Sequence, residues 1–170
     1  MRSTKMITIA VLVLAFAGTV SAQKKPVFSS SYTNLSTCKE LGGQEGTDPA
    51  YVCKGPGGYR LRIYSSATMT HITAEKGDES TPVANIGFDW AQNKARAEWR
   101  LANGKPFAVI LRIPKYDGRT DDEPGVGKKI GEELFVSGIG DWEFINGSVD
   151  AKTPNANVKA RQIADKGYQP

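Results

Sequence analysis

The sequence predicts an α+β fold, mostly β: an antiparallel sheet of hairpins, left open or closed into a barrel, with one C-terminal helix packed on it. Three stretches carry this prediction. Residues 59–73 and 94–113 each read as two alternating strands joined by a turn, and residues 153–167 repeat apolar side chains at helical spacing.

The chain opens as an export signal. Arg2 and Lys5 precede an apolar run from Met6 to Ala17, and the small residues Val20 and Ala22 suit cleavage before Gln23. The apolar run is well short of the ~20 residues that span a bilayer, and no later stretch is long and apolar enough, so no membrane span is expected after cleavage. No cysteine follows the cut, which argues against a lipid-anchored form. The expected organisation is a cleaved signal peptide over 1–22, a polar, flexible lead-in over 23–31, and a single disulfide-bearing domain over 32–170, located in the periplasm or secreted. Without Arg2 and Lys5, twenty basic residues face eighteen acidic ones, a net charge of +2. That balance gives no support for nucleic-acid binding, which needs a concentrated basic face.

Cys38 and Cys53 are the only cysteines, with fourteen residues between them. In an exported chain they are expected to form a disulfide. Closing a loop of this size stabilises the fold by about 3 kcal/mol in the chain-entropy treatment. Residues 42–49 are rich in turn formers and lie inside that loop.

Tyr59, Leu61 and Ile63 alternate with Arg60 and Arg62, and residues 68–73 are rich in β-branched side chains, so the two pair as a hairpin. In the second hairpin Ala95, Ala97, Trp99 and Leu101 alternate with Arg96, Glu98 and Arg100, and Phe107, Val109, Leu111 and Ile113 return. A plain two-residue turn at Asn103-Gly104 mixes apolar and charged side chains on each face. A three-residue turn over 102–104 pairs Trp99 with Phe107, Ala97 with Val109 and Ala95 with Leu111, leaving one apolar and one polar face, and is the register expected here. Further strands are expected over 134–137 and 142–149. The closing helix is expected to begin with Thr153 as N-cap and Pro154 in its first turn, to bury Ala156, Ala160, Ile163 and Ala164, and to stop at Gly167.

Chemistry is mostly excluded. His71 is the only histidine, and with both cysteines bonded it is expected to be a strand histidine near the core edge, not the base of a catalytic group or a metal ligand. Asp117, Asp121, Asp122 and Glu123 lack the spacing of a calcium loop and read as a solvated turn. The glycines of 55–58 lead into a strand, and Lys129 stands where a phosphate-binding loop needs Ser or Thr, so both glycine groups are turns. Asn34 and Asn146 stand in N-x-S/T triplets that matter only in a glycosylating host. No catalytic residue, metal or cofactor is assigned. One feature is singled out for binding: Arg96, Arg100 and Arg112 are expected to project from one hairpin face, joined by Arg60 and Arg62, where guanidinium groups could hold carboxylates or phosphates.

Tyr32 through Leu35, Cys38, Cys53 with Gly57 through Tyr59, Glu98-Trp99-Arg100, Lys105 through Ile110, Val149 through Ala151, Asn155 through Asn157, Ala160-Arg161 and Ile163 through Asp165 together resemble a group of small exported proteins of Gram-negative, rhizobia-like bacteria. That resemblance implies export and a single domain, and no mechanism. A second comparison is with periplasmic lysozyme inhibitors, small disulfide-bearing β-barrels that insert a Ser-Gly-x-x-Tyr loop; Ser137 and Gly138 match, but Asp141 stands where the Tyr belongs. The sequence therefore predicts a non-enzymatic exported domain that binds an unidentified protein or envelope component. A lysozyme-inhibitor-like protein and a carboxylate-based envelope hydrolase are the alternatives.

Overall fold

A computed structural model describes residues 25–42, 50–66, 69–87, 95–117 and 128–170. The expected signal peptide, the turn-rich stretch 43–49 and Asp121, Asp122 and Glu123 lie outside the described residues. The fold is mostly β, with ten strands and one α-helix among the described residues: β1 (Phe28–Asn34), β2 (Lys39–Leu41), β3 (Ala50–Lys54), β4 (Arg60–Ser65), β5 (Met69–Lys76), β6 (Glu79–Gly87), β7 (Arg96–Ala102), β8 (Lys105–Tyr116), β9 (Lys129–Gly138), β10 (Asn146–Asp150) and α1 (Ala156–Gly167).

The strands form two antiparallel sheets. One has the order β1-β7-β8-β9-β10 and the other β2-β3-β4-β5-β6. They stack face to face and do not close into a barrel. Leu61, Ile63, Ile72, Ala74 and Ile86 of the second sheet pack against Ala97, Trp99, Val109, Leu111 and Ile113 of the first. The other face of the first sheet buries Ala108, Ile110, Leu134 and Val136 beneath α1, which contributes Ala156, Ala160 and Ala164. The molecule is thus three layers: a sheet open to solvent on one side, a sheet covered on both sides, and a helix. Alanines four residues apart let the helix sit close, and Gly147 of β10 leaves room for Ile163.

The expected hairpin of β4 and β5 is present, with Leu61 opposite Ala74 and Ile63 opposite Ile72. Cys38 and Cys53 are bonded, with Cα atoms 4.4 Å apart, beside the Lys39–Val52 pair at the end of the β2–β3 ladder away from its connection.

The hairpin of β7 and β8 differs from its expected register. Trp99 pairs with Val109 and Ala97 with Leu111. Trp99 packs between the sheets while Phe107 packs under the helix, so the two lie on opposite faces. The turn has two residues, Asn103 and Gly104, both left-handed at φ of 51° and 79°. A bulge between Arg100 and Leu101 then inserts one residue of β8 and restores the faces that a plain two-residue turn would scramble. The same bulge accommodates Pro106, which has no N–H for the ladder.

Two further expectations are corrected. Phe28–Ser31, expected within the flexible lead-in, begin β1 and pair with Arg100–Ala102 and Trp99 of β7. The helix begins after Asn155, whose backbone is left-handed at φ 58°, and Thr153 belongs to the turn that precedes it. Gly167 is the last helical residue, not a stop beyond the end. A β-carbon there would lie 2.8 Å from Ile145, so close packing requires glycine at this position.

Candidate functional site

Arg96 and Arg100 of β7 and Arg112 of β8 lie on one face of the first sheet. What lies over that face is α1. Arg100 is 6% exposed and Glu98 8%. Arg100 donates to both carboxylate oxygens of Asp165, at 2.7 and 2.9 Å, and to Ser30 Oγ at 2.6 Å. Ser30 in turn donates to Glu98, which accepts from Arg161 Nε at 2.6 Å. Arg161 also donates to the Tyr32 hydroxyl, and its hydrogen bond to Glu98 raises the guanidinium pKa further. Two cations and two anions therefore close into one network joining β1, β7 and α1. Such a network fixes where the helix docks.

Arg96 is exposed and stacks 5.4 Å over the Tyr32 ring, and Arg112 lies near Glu132 at 3.5 Å. Arg60 and Arg62 do not join them. They project from the outer face of the second sheet, on the far side of the sandwich, where Arg60 pairs with Glu75 at 2.6 Å. The five arginines thus form no single cluster.

Tyr32, Glu98, Arg100, Arg161 and Asp165 hold the helix, and Trp99 donates from Nε1 to Thr33 Oγ1 in the core. Ser137 and Gly138 end β9 in buried positions, with Ser137 Oγ near the Pro82 carbonyl. They are not displayed as an inserting loop.

An open concave surface lies at one end of the sandwich. Four connections meet there: the turn before β4 (Gly57, Tyr59), the β5–β6 turn (Lys76, Gly77, Asp78, Glu79), the β7–β8 turn (Gly104, Lys105, Pro106), and the turn after β9 (Gly140, Asp141, Trp142). They enclose an open cleft of about 870 Å³. Each connection turns on a left-handed glycine, at φ of 62°, 59°, 79° and 58°. Glycine has no steric penalty there, and a β-carbon at Gly140 would stand 3.0 Å from the Tyr59 hydroxyl. Lys76 Nζ lies 5.1 Å from the Tyr59 ring centroid. Burial, then the charges of Glu79 and Asp141, push the Tyr59 phenol above its ordinary value of 10.0. Tyr59 therefore presents a neutral hydroxyl amid separate acidic and basic side chains. The sequence marks Gly57 and Gly104 as turn residues, but nothing local shows that four turns from two sheets converge.

His71 occupies a strand position on the outer face of the second sheet. It stacks on Tyr64 with ring centroids 5.0 Å apart. Its Nε2 is 2.9 Å from Ser66 Oγ, and its Nδ1 is 2.9 Å from Asn85 Oδ1. Neither neighbour is visible as a partner in the sequence, although the β5–β6 register places Asn85 directly opposite His71.

Among the described residues no group of His, Cys, Asp and Glu is arranged to hold a metal, and no helix is long and apolar enough to cross a membrane. No family model, curated protein or solved structure matches the chain.

Proposed function

We propose that the chain is an exported binding domain whose ligand sits in the four-turn cleft. The observation that carries this reading is the convergence of four glycine-hinged turns from both sheets around Tyr59. Loops at the end of a rigid sandwich are where such folds place recognition. Lys76, Lys105, Asp78, Glu79 and Asp141 offer both signs of charge beside the Tyr59 and Trp142 rings. That mixture suits a polar ligand carrying both amines and carboxylates, as envelope glycopeptides do. Export is supported by the charged and apolar N-terminus and by the disulfide, which persists in oxidising compartments.

The test is titration of the isotope-labelled protein with a soluble muropeptide mixture, followed by amide chemical shifts. Shifts centred on Gly57, Gly77, Gly104 and Gly140, and abolished by Lys105→Glu with Asp141→Lys, are expected. Shifts elsewhere, or binding unaffected by both charge reversals, would remove the cleft as the site.

A second reading has one observation in its favour: Glu79 and Asp141 both act on Tyr59 from the cleft wall. Two carboxylates flanking one bond are the requirement for glycoside hydrolysis. Glycan cleavage lost in both Glu79→Gln and Asp141→Asn would favour this reading over simple binding.

A further inference from the structure

We propose that Ser66, His71 and Asn85 form a nucleophilic site on the outer face of the second sheet, separate from the cleft, that transfers short acyl groups from esters. Three elements build it. Ser66 follows β4, and its backbone N–H donates to the Met69 carbonyl of β5 at 2.8 Å. His71 projects outward from β5 opposite Tyr64, and Asn85 projects outward from β6 opposite His71. The two ring nitrogens of His71 are engaged differently. With Asn85 presenting its carbonyl oxygen 2.9 Å from Nδ1, the proton is held on Nδ1. The lone pair of Nε2 then faces Ser66 Oγ at 2.9 Å. A hydroxyl, a base within hydrogen-bond reach, and a third group orienting that base constitute an activated nucleophile. Tyr64, stacked on the imidazole, limits its rotation.

Ser66 and Asn85 are exposed and His71 is partly so. The setting therefore suits a short acyl ester, such as an acetyl group, displayed on a larger polar molecule that lies along the sheet. Ser66 Oγ bonds to the acyl carbon as its proton passes to His71 Nε2. The ester C–O bond then breaks, and the same proton goes to the departing alcohol. Water, deprotonated by Nε2, next attacks acyl-Ser66 and releases the carboxylic acid, which regenerates the serine. Ester and water are consumed, and alcohol and acid are formed.

Ser66 is the catalytic nucleophile and His71 the catalytic base; Asn85 is a positioning residue acting through His71. A fluorophosphonate probe tests this in the folded, disulfide-bonded chain, with adduct formation followed by intact mass and located by peptide mapping. One adduct at Ser66 is expected. Ser66→Ala, at an exposed position, abolishes it, and His71→Gln slows it by about 10²–10⁴-fold. Asn85→Asp, which keeps an acceptor at Nδ1, retains labelling, whereas Asn85→Leu slows it. Unchanged denaturation midpoints in these variants confirm that folding is intact. No adduct at Ser66, or an adduct formed equally fast in His71→Gln, overturns the proposal; wild-type labelling in Asn85→Leu overturns the role of Asn85. Because none of these residues lines the four-turn cleft, failure here leaves the binding reading standing, and the reverse also holds.

Discussion

The outer faces of the two sheets carry the same kind of sequence and meet opposite fates. On β4, Arg60, Arg62 and Tyr64 alternate with Leu61 and Ile63, and the charged side faces water. On β7, Arg96, Glu98 and Arg100 alternate with Ala97, Trp99 and Leu101, and Glu98 and Arg100 are buried beneath a helix. Alternation reveals which residues share a face. It does not reveal what covers that face. The difference is made 63 and 65 residues later, where Arg161 and Asp165 supply the opposite charges from a helix with an alanine stripe.

The largest effect should come from breaking the covered face. Arg100→Ala leaves Asp165 without its partner under the helix and removes the donor to Ser30 Oγ, and removing one member of a buried ion pair costs about 3–5 kcal/mol. Urea denaturation should show this loss together with early protection loss across α1 in hydrogen exchange. A loss below ~1 kcal/mol would place this face energetically with the open one.

The disulfide lies in the sheet with the open face, and its effect acts mainly through the unfolded chain. Cys38→Ser with Cys53→Ser should cost about 2–4 kcal/mol in the same assay. It should leave the protection of α1 relative to β7 unchanged, because the helix network does not depend on it.

At the cleft end, Tyr59 links stability to alkaline pH. Its folded pKa is raised from 10.0, so the neutral phenol stabilises the native state. That contribution is fully present below pH 10 and is lost as pH rises through the folded value. Denaturation midpoints measured on either side of pH 10 should fall less in Tyr59→Phe than in the parent. An equal fall in both would show that Tyr59 is not the group responsible.

The smallest effect is expected on the open face. Arg60→Ala, which breaks the exposed pair with Glu75, should change stability by roughly 0–1 kcal/mol, and the change should shrink with added salt.

How far the sequence could be read follows from the same contrast. The hairpin of β4 and β5 was legible because one face is wet, and period two then allows a single register. β8 is buried on both faces, from Pro106 through Leu111, so its pattern could not discriminate between registers, and the bulge that sets the pairing has no marker beyond Pro106. β1 was missed because Ser29, Ser30 and Ser31 look like a linker; Ser30 is polar because it bridges Arg100 and Glu98. No strand was expected where β6 lies, and its Pro82 is tolerated there because β6 is a sheet edge. The disulfide was legible from compartment and cysteine count. The cleft and the Ser66–His71–Asn85 group were not, because both are made by cross-strand and cross-sheet proximity that no local pattern encodes.

The central claim is that the charges on β7 fix the helix while those on β4 merely face water. A pair of double-mutant cycles measures this most directly, one on Arg100 and Asp165 and the other on Arg60 and Glu75, both read by chemical denaturation. The coupling is predicted to exceed ~1.5 kcal/mol for the first pair and to stay below ~0.5 kcal/mol for the second. Equal couplings in the two cycles would contradict it.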